Sequence, residues 1–180
     1  MTGLPVRSVL LDRDGVINRL RPDHVKRWDE FEPLAGAVES VARISASGRD
    51  VVVVTNQSAI GHELVSRAVV DDIHRRLAEA VGGRGGAIRA FLVCPHRRDA
   101  GCGCRKPAPG LLLRARAGLG LDLARAVMVG DQVGDVEAAR AAGCRAMLVD
   151  PTGERAAALD DPACPVVGSL AEAADVICGA

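Results

Sequence analysis

The sequence predicts an α/β fold: a single domain built on an open, parallel sheet with helices on both faces. Three observations carry this. Short runs rich in Val, Leu, Ile or Phe recur along the chain, helical patterns separate them, and each run ends in polar or glycine-bearing residues. Strands that are apolar throughout are buried on both faces, as in a parallel sheet covered by helices on each side.

Taken in order, a first strand over 7–12 leads through Pro33 to a helix over 35–47, and a second strand follows at 50–54. Ser66 supplies an N-cap for a helix over 66–81. Gly82-Gly83-Arg84-Gly85-Gly86 reads as a flexible turn into a third strand at 88–93. Pro109-Gly110 opens a helix over 109–118, a fourth strand covers 126–130, and a helix covers 134–142. A fifth strand at 145–149 and a last amphipathic helix over 169–178, opening at Ser169, complete the alternation. This is the pattern of a Rossmann-like sheet, in which ligands bind at the carboxyl ends of the strands.

Composition narrows the function classes. The chain has 180 residues, 48% of them apolar, which suits one compact domain spanning 1–180. Lys and Arg total 23, matched by 23 Asp and Glu, and no basic stripe forms, which argues against nucleic acid as a partner. Two Phe, one Trp and no Tyr leave little to stack on bases. No apolar run approaches the ~20 residues that span a bilayer, and the opening Met-Thr-Gly-Leu-Pro-Val-Arg lacks the apolar core of a signal peptide. The expectation is a cytoplasmic protein without a membrane partner, and nothing demands more than a monomer. Cys144, Cys164 and Cys178 read as small core hydrophobes, and His62 and His74 as solvated or capping residues.

The strand ends hold the chemistry. Asp12 and Asp14 follow the first strand, and i and i+2 in extended geometry point to one side. One carboxylate can attack phosphorus while the other exchanges protons with the leaving oxygen and with water. Alone, an Asp-x-Asp followed by Gly15 reads equally well as a capped turn. Thr55-Asn56-Gln57-Ser58 after the second strand offers donors suited to phosphoryl oxygens, although such a loop is commonly a helix cap. Lys106 stands before a predicted helix start and can bring a positive charge to the same place. Asp131 and Asp135 after the fourth strand add oxygen ligands for a hard cation such as Mg2+.

The joint order of two aspartates, a threonine, a lysine before a helix and Gly130-Asp131 with Asp135 resembles the haloacid dehalogenase (HAD) superfamily, from about residue 7 to 150. The resemblance implies that Asp12 is phosphorylated and that Asp14 is the acid/base. It also implies that Thr55 and Lys106 stabilise the transferring phosphoryl group, and that Asp12, Asp131 and the backbone carbonyl of Asp14 hold Mg2+. About 40 residues separate the first two motifs, too few for a cap domain, so a capless form is expected.

Cys94, His96, Cys102 and Cys104 fall within the loop 94–104 and form a preferred tetrahedral Zn2+ set with no open position, which makes the expected metal structural. A chance cluster of reduced thiols is the alternative; a redox pair is weaker, because one residue and not two separates Cys102 from Cys104. Followed by Arg105-Lys106-Pro107, the cluster is similar to that of the zinc-bearing subgroup of heptose 1,7-bisphosphate phosphatases and histidinol-phosphate phosphatases. Asp12-Arg-Asp14-Gly-Val-Ile-Asn18, Trp28-x-x-Phe31-x-Pro33-x-x-Gly36 and Val51-Val-Val-Val-Thr55-Asn56-Gln57-Ser58 extend the likeness to the heptose enzymes. By that resemblance, Arg105 helps recognise substrate and Asn18 to His24 form part of a specificity loop. The short spacer between His96 and Cys102 is that of the histidinol-phosphate enzymes, and His24 and Gln132 stand where heptose enzymes often carry Tyr and Lys.

Arg19, Arg21, Lys26, Arg27, Arg97, Arg98 and Arg105 gather in the 18–32 loop and the cysteine loop, which together favour a substrate with a second anionic group. The leading expectation is removal of the 7-phosphate of D-glycero-D-manno-heptose 1,7-bisphosphate, a small phosphorylated sugar. Histidinol phosphate and a non-catalytic, zinc-stabilised phospho-ligand module are the competing readings, with a polynucleotide-end phosphatase disfavoured by charge.

Overall fold

Strand and helix alternate from end to end in the computed structural model, which describes residues 5–159 and 161–179. Met1 to Leu4, on which part of the signal-peptide expectation falls, lie outside the described residues. The strands are β1 (Ser8–Leu11), β2 (Asp50–Asn56), β3 (Ala90–Cys94), β4 (Ala126–Gly130), β5 (Arg145–Val149) and β6 (Val166–Val167). They form one six-stranded sheet in the order β3-β2-β1-β4-β5-β6, and every pair is parallel. The helices are α1 (Ala37–Ala46), α2 (Ser58–Gly61), α3 (Arg67–Gly82), α4 (Gly110–Leu119), α5 (Val133–Ala141), α6 (Glu154–Leu159) and α7 (Leu170–Cys178).

The period of two in the strands sorts side chains to two cores. Val9, Leu11, Val51, Val53, Val127 and Val129 pack on one face with residues of α1, α3 and α7. Leu10, Val52, Val54 and Met128 face the other way, onto Leu111, Leu112 and Ala115 of α4 and Ala138 and Ala139 of α5. Ser66 and Ser169 cap their helices as expected, accepting from the amides of Val69 and Glu172. No helix among the described residues is long and apolar enough to cross a membrane.

Four elements differ from expectation. β2 continues through Thr55 and Asn56, because these two pair with Val93 and Cys94 of β3; they are strand-end residues rather than loop. β6, α2 and α6 were not expected: two residues of strand and four and six of helix are too short for a periodic pattern to emerge. His74 is neither solvated nor capping. It is buried on α3, stacked on Phe91 with ring centroids 4.4 Å apart and planes at 9°.

β1 is central, and the chain steps from it to β2 and β3 before returning to β4 on its other side. The order of strand addition therefore reverses between β1 and β4, which is where such sheets open a crevice.

Burial, and then the charge of Arg13, hold the His74 imidazole at a pKa of about 3, below its ordinary 6.5. Between those values the unfolded chain takes up a proton that the native chain refuses, so stability falls as pH drops from about 7 toward 3. His74→Phe removes this term. Its denaturant midpoint is expected to fall less between pH 7 and pH 4 than that of the unaltered protein; parallel losses would refute the assignment.

Candidate active site

Asp12 follows β1 and Asp131 follows β4, so the crevice brings their carboxylates together. Asp135, on the first turn of α5, joins them: one oxygen from each of the three lies within 4.8 Å of the others. Gly15, at φ 91°, permits this approach, since a Cβ there would fall inside the Asp131 carboxylate. Asp135 is locked by a capping box with Gln132 and accepts the Gln132 amide at 3.0 Å.

Lys106 is the counter-charge. Its buried ammonium pairs with Asp12 Oδ1 at 2.9 Å and Asp135 Oδ1 at 2.7 Å and donates to the Val54 carbonyl at 2.8 Å. Burial pushes the Lys106 pKa down, but Asp12 and Asp135 outweigh it and hold the amine above its usual range. Burial raises Asp12 to about 7 despite Lys106, and burial also raises Asp131. Asn56 fixes the lysine's backbone, donating to its carbonyl at 3.1 Å and accepting from its amide at 3.2 Å.

Asp14 lies apart from the three carboxylates. Its oxygens accept from Arg13 Nε (3.1 Å), Arg13 Nη2 (3.0 Å), Asn18 Nδ2 (2.9 Å) and Gln57 Nε2 (2.7 Å). Burial alone would raise this carboxyl, but the Arg13 charge and these bonds hold it below the ordinary carboxylate range. The same Gln57 amide reaches Thr55 Oγ1 at 2.8 Å, which ties Thr55 to Asp14.

An open cavity of about 880 Å³ lies over this cluster, lined by Asp12, Asp14, Thr55, Asn56, Gln57, Ser58, Lys106 and Asp131. Arg105 also lines it, as expected for a substrate contact. Asn18 does not: it is fully buried and turns its amide to Asp14, so the expected substrate contact is corrected to a grip on Asp14. Of the seven cations in the two loops, Arg19, Arg21, Lys26, Arg27 and Arg97 pair with Glu32, Asp23, Glu30 or Asp99. Arg98 and Arg105 line the cavity and have no carboxylate partner among the described residues. Sequence reasoning passed over Arg13, although it stands between the two motif aspartates; nothing in apolar spacing signals a buried guanidinium.

The carboxylate cluster fits a divalent cation. Four carboxylates, of Asp12, Asp14, Asp131 and Asp135, face two buried cations, Arg13 and Lys106, with the more exposed Arg155 reaching Asp131 at 3.9 Å, which leaves the site net negative. Asp131 Oδ1 is buried without a hydrogen-bond partner, as a ligand oxygen would be.

The second cluster brings Cys94, His96, Cys102 and Cys104 together as predicted. Sulfur separations are 3.7 Å for Cys94 to Cys102, 3.3 Å for Cys94 to Cys104 and 3.6 Å for Cys102 to Cys104. A tetrahedron with Zn–S bonds of about 2.3 Å has edges of about 3.8 Å, so the donor set is preformed for such an ion.

A carboxylate aimed out of a parallel sheet, a lysine bonded to it and a divalent-cation site beside it define a phosphoryl-transfer enzyme of the α/β class. A HAD-hydrolase-like family model matches residues 103–173. A D-glycero-beta-D-manno-heptose-1,7-bisphosphate 7-phosphatase of Pseudomonas aeruginosa is 45% identical over 87% of this chain and 88% of that protein. A D-glycero-alpha-D-manno-heptose-1,7-bisphosphate 7-phosphatase of Mycobacterium bovis is 40% identical over 78% of each. The crystal structure of a D,D-heptose 1,7-bisphosphate phosphatase from B. bronchiseptica, complexed with magnesium and phosphate, superposes with a TM-score of 0.90. That protein is 34% identical, over 96% of this chain and 98% of its own. The chain belongs to the HAD-like hydrolases, in the family of the heptose bisphosphate phosphatases.

Because Gly15 leaves space for the Asp131 carboxylate, Gly15→Ala is expected to weaken magnesium binding about tenfold or more. A magnesium titration of activity measures this, and an unchanged midpoint would contradict it.

Proposed function

We propose that the chain is a Mg2+-dependent phosphatase that removes the 7-phosphate of D-glycero-D-manno-heptose 1,7-bisphosphate through an aspartyl-phosphate on Asp12, in nucleotide-heptose biosynthesis. The observation that carries it is Asp12 itself: a buried carboxylate beside a cation site, with a second, separately held carboxylate opposite.

The Asp12 carboxylate attacks phosphorus, and the bond to the leaving sugar oxygen breaks. Asp14, which takes up a proton as the negative charge of the substrate phosphate comes beside it, gives that proton to the leaving oxygen. It then takes a proton from water as the water attacks phosphorus, which frees phosphate and restores Asp12. Thr55, Lys106 and the backbone amide of Ser58 hold the phosphoryl oxygens, while the side chains of Asn56 and Gln57 hold Lys106 and Asp14 in place. Asp12, Asp131 and the backbone carbonyl of Asp14 would hold Mg2+, with Asp135 gripping Lys106. The bound cation supplies positive charge to the transferring group.

A sugar bisphosphate is favoured because Arg98 and Arg105 keep their charges for the cavity, whereas the far end of histidinol phosphate is cationic. Cys94, His96, Cys102 and Cys104 would bind one structural Zn2+. Residues 1–180 act as one domain, in the cytoplasm and as a monomer.

Asp12→Asn is expected to lose at least about a thousandfold in kcat while keeping its melting temperature, the result that separates an enzyme from a binding module. In a phosphate-release panel of both heptose bisphosphate anomers and histidinol phosphate, a heptose anomer should lead; preference for histidinol phosphate would overturn the substrate. Cys102→Ala should lose zinc by elemental analysis and lower the melting temperature, and full zinc retention would contradict the ligand set.

A further inference from the structure

Arg13 stands between the two aspartates in sequence and touches both. Its amide donates to Asp12 Oδ1 at 2.7 Å, while its side chain turns back on Asp14. The guanidinium is wholly buried, and Asp14 is its carboxylate partner. A buried charge is costly unless it is paired and hydrogen-bonded, and an apolar side chain would fill the same space more cheaply. The charge is therefore placed for Asp14.

What holds the guanidinium is equally specific. Nη1 lies 3.2 Å from His74 Nε2, and the ring of Phe31 lies 5.9 Å from Arg13 Cζ. A guanidinium only donates, so His74 must accept at Nε2 and be neutral. The low pKa of the imidazole agrees with this. Stacking on Phe91 keeps the imidazole in place. A line of contacts thus runs from β3 through α3 and Arg13 to Asp14, and two of the four hydrogen bonds on Asp14 come from this one side chain.

We propose that Arg13, backed by His74, is a positioning residue that sets the orientation of the Asp14 carboxylate for proton transfer to the leaving oxygen and from water. This rests on the acid/base reading of Asp14. Without Arg13, Asn18 and Gln57 hold one oxygen each, and the carboxylate is free to rotate out of reach of the leaving oxygen.

Leaving-group dependence tests it, using the magnesium-loaded enzyme with the sugar bisphosphate and with p-nitrophenyl phosphate, whose leaving group departs without a proton. Arg13→Met should lower kcat/KM for the sugar bisphosphate about ten- to a hundredfold. For p-nitrophenyl phosphate kcat/KM should fall no more than about threefold, while kcat drops and phosphoenzyme accumulates, because the water step still needs Asp14. His74→Phe keeps the stack and should shift the ratio in the same direction by a few fold; it serves if Arg13→Met does not fold. In an Asp14→Asn background Arg13→Met should add nothing. Equal losses on both substrates, or an unaltered ratio in His74→Phe, would overturn the proposal while leaving the acid/base reading intact. If Asp14→Asn itself loses both substrates equally, the acid/base reading fails, and the positioning role with it.

Discussion

Three carboxylates, of Asp12, Asp131 and Asp135, converge where β1 and β4 lie side by side, with Asp14 held apart nearby, and their mutual repulsion is the constraint that the rest of the molecule answers. A site this acidic holds together only because Lys106 and Arg13 are buried with it and because a divalent cation fits the remaining charge. The two protein cations divide the work. Lys106 bonds to Asp12 and Asp135, while Arg13 grips Asp14. Two aspartates only one residue apart consequently meet opposite environments: burial drives Asp12 up to about 7, and the donors around Asp14 hold it low.

The position of Lys106 depends on parts of the chain far from the sheet. It follows Cys104 by two residues, and Asn56 at the end of β2 clasps its backbone. The cysteine and histidine loop is thus the near anchor of the catalytic lysine as well as one wall of the cavity, through Arg98, Cys102 and Arg105. Its packing against α2 is close: a Cβ on Gly61 would crowd the backbone of Pro95 and Arg97. A structural metal in this loop would set catalytic geometry and substrate shape at once.

The layered fold was legible because alternating apolar runs and capped helices obey simple periods, and five of six strands followed from them. β6, α2 and α6 were not legible, being too short to display a period. Asp12, Asp14, Thr55 and Asp131 were readable as strand-end residues, since the topology gathers such ends into one crevice, and Lys106 as a residue before a helix start. Asn18 and His74 were misplaced for a common reason. Whether a polar residue faces a cavity or a buried partner depends on contacts distant in sequence, here with Asp14, Arg13 and Phe91. The surplus of positive charge in the two loops was visible, but only ion pairing distinguishes Arg98 and Arg105 from the five that are neutralised locally.

The claim on which everything turns is that phosphate passes through Asp12. Rapid quench of a turning-over enzyme, followed by borohydride reduction and peptide mass spectrometry, reads it directly, because reduction converts a phosphorylated aspartate to homoserine. The expected result is homoserine at position 12, increased in Asp14→Asn and absent when substrate is withheld. Homoserine at another position, or none in a phosphoenzyme-accumulating Asp14→Asn sample, would contradict it.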